Sequence, residues 1–243
     1  MFHLILAAIS IILFLVFSIL LIPVEWIVGR ISPAARDQSR FRILQGYVKI
    51  LLFLCGVRVT LIGREKVPTD RSVFYAINHR GSFDILVMLA YFPTLTGFIA
   101  KKEFEKIPLL SWWITWTHGF FLDRENLKEG LKTVLAAIEE IKKGVSIAIF
   151  PEGTRSRTPD ERELLEFHEG SFKIATKPGC PIVPVAICHT SEIFEDHLPF
   201  IHSTRVVVEY ADPIDTAALS REDGKFMGRQ VREIIRQLVV KNH

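Results

Sequence analysis

The sequence predicts an α/β fold preceded by an N-terminal hydrophobic helical hairpin. Three observations carry that prediction. They are a charge-free run from Leu4 to Val24, seven short apolar or β-branched runs between Val57 and Tyr210, and a helical periodicity that leads into one of those runs. With 243 residues the chain can bury a full core, which suits one catalytic-sized domain with an appendage. Apolar residues make up 49% of it, and the excess sits mostly in the first 56 positions. The expected division is therefore residues 1–56 as membrane-associated helices and 57–243 as the α/β domain.

Taken in order, Leu4–Val24 matches the roughly 20 apolar residues that cross a hydrocarbon core. A secretory signal would begin with basic residues and carry a shorter apolar run, whereas only His3 precedes this one. Arg30, Arg36, Arg40, Arg42 and Lys49 follow with only Asp37 opposing, so the positive-inside rule places the following domain on the cytoplasmic face of the cytoplasmic membrane. The second apolar run, Ile50–Val57, is too short to span. Two readings of the stretch from Ser32 to Cys55 stay open: a helix folding back within one leaflet, or a core helix of the α/β domain. Whether the first helix spans or re-enters is likewise open.

The runs "VRVTLI", "SVFYAI", "TGFIA", "GFFL", "VSIAIF", "IVPVAI" and "RVVVEY" read as strands. Between the fourth and fifth, Leu127, Leu131, Val134, Leu135, Ile138 and Ile141 recur at helical spacing, predicting a helix over Glu125–Lys143 that stops at Gly144. A C-terminal amphipathic helix is expected over Arg221–Val240, packed on the sheet. Cys55, Cys180 and Cys188 form no Cys-x-x-Cys pair and read as reduced thiols. Cys188 with His189 is too small a set for a metal site, and none is expected. A net charge of +3 gives no reason to expect nucleic acid as a partner, although basic residues near a bilayer favour anionic lipids.

Two loops follow predicted strands, where ligands of open α/β sheets tend to bind. "FPEGTRSR", Phe150–Arg157, offers Gly153 for close backbone approach, Thr154 and Ser156 as donors, and Arg155 to fork onto an anion. Alone it is equally a surface turn, and it lacks the Gly-Lys-Ser/Thr of a Walker loop. "NHRGSFD", Asn78–Asp84, sets His79 five residues before Asp84. On one regular helix they would diverge by about 140°, so a pairing needs a turn at Gly81, with Ser82 capping a helix that holds Asp84 in its first turn. A helix start beside an idle histidine fits that loop as well.

Together with "GFFLDR" (Gly119–Arg124) and "IVPVAI" (Ile182–Ile187), in this order, the two loops make the sequence resemble the 1-acylglycerol-3-phosphate acyltransferases of bacterial type, the lysophosphatidic acid acyltransferase family of the glycerolipid acyltransferases. "AKKEF" and "GSFKIA" add to the likeness, which covers about Arg71 to Ile187. The resemblance implies a mixed sheet flanked by helices. It also implies transfer of an acyl chain from acyl-CoA or acyl carrier protein to the sn-2 hydroxyl of lysophosphatidic acid, giving phosphatidic acid at a membrane. The thioester is a co-substrate, and no cofactor is implied.

By the same resemblance, His79 is the general base and Asp84 orients it. Glu152, Gly153, Thr154 and Arg155 form the acceptor-binding block, with Arg155 the first phosphate candidate and Arg124 and Lys101 further cations. Val183–Ala186 would wall the thioester, while Phe120, Phe121, Trp112, Trp113 and Trp116 either line an acyl passage or pack as core. One departure stands out: in "FHEGSFK", His168 and Glu169 follow Phe167 where family members often carry a basic residue. Other lysophospholipids or glycerol-3-phosphate are alternative acceptors. A hydrolase, or a silent phospholipid-binding membrane protein, is the alternative of another class, although no Gly-x-Ser-x-Gly is present.

Overall fold

The computed structural model describes residues 2–123, 126–219 and 223–243. The charge-free run continues past Val24 as one long helix, α1 (Phe2–Ile31). Ser32 ends it and caps α2 (Pro33–Leu54), its Oγ accepting the Ala35 N–H at 3.2 Å with proline at the first helical position. The expected hairpin is thus present. Ala7, Phe14, Ser18 and Glu25 make one buried stripe on α1, and most of its other apolar side chains are exposed. On α2, Phe41, Leu44, Val48, Leu51 and Leu52 face inward. The second apolar run therefore divides: Leu51 and Leu52 join the core, while Ile50 and Phe53 point out.

All seven predicted strands form. They are β1 (Arg58–Ile62), β2 (Phe74–Ile77), β3 (Thr96–Lys101), β4 (Phe120–Leu122), β5 (Ser146–Ile149), β6 (Ile182–Cys188) and β7 (Arg205–Tyr210). They make one sheet in the order β1-β7-β6-β2-β5-β3-β4. The sheet is mixed, because β6 and β7 pair antiparallel and every other neighbouring pair is parallel. The remaining helices are α3 (Phe83–Tyr91), α4 (Leu110–Trp116), α5 (Leu127–Lys142), α6 (Lys173–Thr176) and α7 (Met227–Asn242).

Alternation along β2 shows the two layers. Tyr75 and Ile77 enter the core shared with the inward residues of α2 and α3, whereas Phe74 and Ala76 enter the one shared with α5, α6 and α7. Helices cover both faces, so the central strands are apolar on both sides.

Three expectations shift. The fourth interval's helix begins at Leu127 behind an Asn126 cap, and Glu125 lies outside the described residues. The C-terminal helix begins at Met227 rather than Arg221, which is also outside them. The tryptophan segment, read only as scattered aromatics, is itself the short helix α4.

Candidate active site

Parallel neighbours create the site. Ala76 of β2 is in register with Ile149 of β5, so the loops after the two strands leave the sheet side by side. Asn78 extends the β2–β6 ladder with its side chain: Nδ2 donates to the Ile187 carbonyl at 2.9 Å and Oδ1 accepts the Ile187 N–H at 2.8 Å. The chain then turns sharply into α3. Gly81 has no positive φ; close approach demands it there, because a Cβ would lie 2.8 Å from Glu195 Oε2 and 3.2 Å from the Thr190 carbonyl oxygen.

That turn folds Asp84 back onto His79. The His79 Nδ1 lies 2.7 Å from Asp84 Oδ2, and the same oxygen accepts the backbone N–H groups of Arg80 at 2.7 Å and Gly81 at 2.9 Å. The Thr190 hydroxyl donates to the other oxygen, Oδ1. With four donors around it, the fully buried carboxylate fixes the imidazole with its proton on Nδ1 and leaves Nε2 as the atom available for proton transfer. The ring lies flat against Phe150, with centroids 4.1 Å apart.

Glu152 ties the two loops together. Its Oε1 accepts the His79 N–H at 2.7 Å and its Oε2 the Leu165 N–H at 3.0 Å, while Ser156 N–H donates to the His79 carbonyl at 2.8 Å. Burial pushes the Glu152 carboxyl up, against these two amide bonds, which pull it down. Gly153 takes φ +71°, and a Cβ on it would lie 2.7 Å from His168 Nε2. Thr154 is exposed.

Arg155 reaches across to the first loop. Its Nη1 donates to Ser82 Oγ at 2.8 Å and to Glu195 Oε1 at 3.0 Å. Ser82 does occupy the N-cap position of α3, but its hydroxyl makes no capping bond and donates to Glu195 instead, at 2.8 Å. Lys101, at the end of β3, pairs with Glu103 at 2.7 Å on the surface rather than with these loops. Arg124 lies outside the described residues.

Ser82 also lies at the edge of an apolar cavity of about 380 Å³, walled by Phe14, Leu44, Val48, Leu86, Phe98 and Trp113 among others. Phe98 stacks in turn on Phe150, so aromatic rings run from this cavity to the imidazole. Trp113 belongs to both of its expected roles: it lines the cavity, and its Nε1–H donates to Ser18 of α1 at 2.8 Å. Trp112 is exposed and Trp116 stands beneath the Arg40 guanidinium, 4.3 Å from its ring centroid.

The departure at His168 and Glu169 has a structural explanation. His168 packs on Gly153, and both Glu169 oxygens accept first-turn amides of α7, from Gly228 at 2.7 Å and Arg229 at 3.0 Å. Among the described residues one group has donor atoms close enough for a metal ion: Glu161, His189 and His243, within 4.8 Å of one another. Sequence reasoning missed Thr190 and Glu195. Thr190 stands three residues beyond the "IVPVAI" run, which was the one available signal; Glu195 had none.

A family model described as Acyltransferase matches residues 58–188, from β1 to the end of β6. The 1-acyl-sn-glycerol-3-phosphate acyltransferase of Borreliella burgdorferi is 30% identical over 201 residues, covering 83% of this chain and 78% of that protein. The protein of the same name from Escherichia coli (strain K12) is 31% identical over 181 residues, covering 72% and 71%. That of Saccharomyces cerevisiae is 29% identical over 188 residues, 77% of this chain but only 61% of the yeast protein's length. The crystal structure of the 1-acyl-sn-glycerophosphate (LPA) acyltransferase PlsC from Thermotoga maritima shares the fold, with a TM-score of 0.79, 24% identity and coverage of 98% and 96%.

Proposed function

Because this chain belongs to the Acyltransferase family, we propose that it moves an acyl chain from a thioester to the sn-2 hydroxyl of 1-acyl-glycerol-3-phosphate, giving phosphatidic acid. The observation that carries this reading is the His79–Asp84 pair standing beside Arg155 and Ser82 at the rim of an apolar cavity. An acid-base pair, an anion-binding corner and an apolar wall are the three things such an acceptor needs. The relatives' names supply the acceptor; acyl-CoA and acyl carrier protein are the two donors to compare.

In the proposed reaction, His79 Nε2 takes the proton of the acceptor hydroxyl as its oxygen attacks the thioester carbonyl. The tetrahedral oxyanion then collapses, the C–S bond breaks, and the departing thiolate takes the proton back from the imidazolium. Asp84 holds the ring in place and offsets its transient charge. Arg155 binds the acceptor's phosphate, with Arg124 as a further cation; Lys101 could join them only by leaving its surface pair with Glu103. Glu152, Gly153 and Thr154 shape that loop, Glu152 through its bond to the His79 amide. The thioester brings the activated acyl group, so this chemistry requires no additional cofactor or metal.

In this reading residues 1–56 attach residues 57–243 to the cytoplasmic face of the cytoplasmic membrane, where a two-chain product and its one-chain precursor already reside. The helix α1 is long and apolar enough to cross a bilayer by length and composition. The basic residues after it support the cytoplasmic side.

The test is acceptor-dependent thiol release by the full chain in detergent micelles. Acyl-CoA and acyl carrier protein serve as donors; lysophosphatidic acid, other lysophospholipids and glycerol-3-phosphate serve as acceptors. Turnover with lysophosphatidic acid, lost in a folded His79→Ala variant, is expected. Thiol release without any acceptor would indicate a hydrolase. Inactivity with every pair would leave a phospholipid-binding protein.

A further inference from the structure

Arg155, the residue proposed to take phosphate, already holds a carboxylate. Glu195 opens a 3-10 turn over Glu195–His197, far from both loops in sequence. Its Oε1 receives three donors: Ser82 N–H at 2.7 Å, Ser82 Oγ–H at 2.8 Å and Arg155 Nη1–H at 3.0 Å. A guanidinium, a hydroxyl and a backbone amide at the head of α3 form the donor set that suits a phosphate oxygen. The second oxygen, Oε2, is buried against the Gly81 backbone and has no hydrogen-bond partner among the described residues. An anionic oxygen buried without a donor is destabilising, so this corner satisfies only half of the group now in it.

We propose that Glu195 is an internal stand-in for the acceptor's phosphate. In the free protein it occupies the Arg155–Ser82 donors, and it swings away when a phosphorylated acceptor arrives. It thereby sets which acceptors bind. A phosphomonoester near neutral pH carries close to two charges and three strong acceptor oxygens, enough to displace one carboxylate oxygen. A phosphodiester head group, with one charge, competes poorly. This inference rests on the reading that Arg155 binds the acceptor's phosphate.

The experiment uses the full chain in detergent micelles, with Glu195→Gln, which keeps the side chain's shape, and Glu195→Ala. Binding of inorganic phosphate is titrated by phosphorus NMR, with no acyl donor present. Both variants are expected to bind phosphate about tenfold tighter than the natural protein. The KM for lysophosphatidic acid is expected to fall with kcat unchanged, and discrimination against lysophospholipids with diester head groups to narrow. An Arg155→Ala/Glu195→Ala double variant is expected to lose the gain. Unchanged or weaker phosphate binding in folded Glu195→Gln overturns the proposal, since a carboxylate that merely orients Arg155 predicts weakening. A gain that survives removal of Arg155 overturns it too. The two readings fail separately: tighter phosphate binding with no acyl transfer to any acceptor removes only the proposed function, and transfer with unaltered phosphate affinity removes only the stand-in.

Discussion

Asp84 shows how one residue's role depends on a partner that no local pattern supplies. Three of its hydrogen bonds come from its own turn, from His79, Arg80 and Gly81, and that turn was legible because histidine, glycine and aspartate stand within six positions. The fourth comes from Thr190, 106 residues away, and it reaches Asp84 only because β6 lies beside β2. Thr190→Val leaves Oδ1 without a donor in a fully buried place, which costs about 1–3 kcal/mol of stability. We expect kcat to fall by about tenfold or more with the acceptor's KM unchanged, since the carboxylate would hold the ring less firmly. Steady-state kinetics beside a melting curve check this.

Glu152 carries a pH dependence of definite sign. Burial raises its folded pKa above the ordinary 4.5, so its contribution to stability is fully present below that value. The contribution is lost as pH rises through the raised value. Glu152→Gln cannot titrate, and it turns an N–H₂ toward an amide that needs an acceptor. Relative to this variant, the natural protein is expected to lose stability as pH rises above the ordinary 4.5, read as melting temperatures on either side of that value. A constant difference would show that the carboxyl does not titrate there.

At the scale of elements, local composition marked all seven strands, because each is a short apolar or β-branched run. The helix α4 was invisible because its seven residues are mostly aromatic and β-branched, and it is held by packing rather than by propensity. Trp113 shows that packing: it stacks on Phe14 with centroids 5.1 Å apart and bonds to Ser18, joining α4 to α1. The edge strand β4 hangs on a glycine. A Cβ at Gly97 would lie 2.1 Å from the His118 carbonyl oxygen, a backbone atom that cannot step aside. Gly97→Ala is expected to destabilise by about 3 kcal/mol, at the upper end of overpacking costs, and to part β4 from β3. Denaturant unfolding measures the loss, and a change of a few tenths would show that the edge yields freely.

Across the whole molecule, α1 is the element whose surface water does not explain. Leu13, Val16, Phe17 and Leu20 are each at least half exposed, while Phe14 faces inward and helps to wall the apolar cavity. A lipid environment resolves this, because apolar surface set against acyl chains carries no cost of exposure to water. Leu13→Arg places a charge on that outer surface, at a cost of about 2.5–3.5 kcal/mol near the centre of an inserted helix. Flotation with liposomes is expected to fall sharply while the far-ultraviolet spectrum stays the same; undiminished flotation would argue against the embedding of α1.

The sequence by itself determined the hairpin, the seven strands, and the two loops with His79, Asp84 and Arg155, since each depends on residues within a few positions of one another. Tertiary structure alone decided the strand order, the antiparallel pairing of β6 with β7, and the placing of Thr190 and Glu195 against Asp84 and Arg155. The reason is physical. Hydrophobic period and turn preference are local properties of a chain, whereas a hydrogen bond between residues a hundred positions apart exists only after burial has chosen which strands lie side by side.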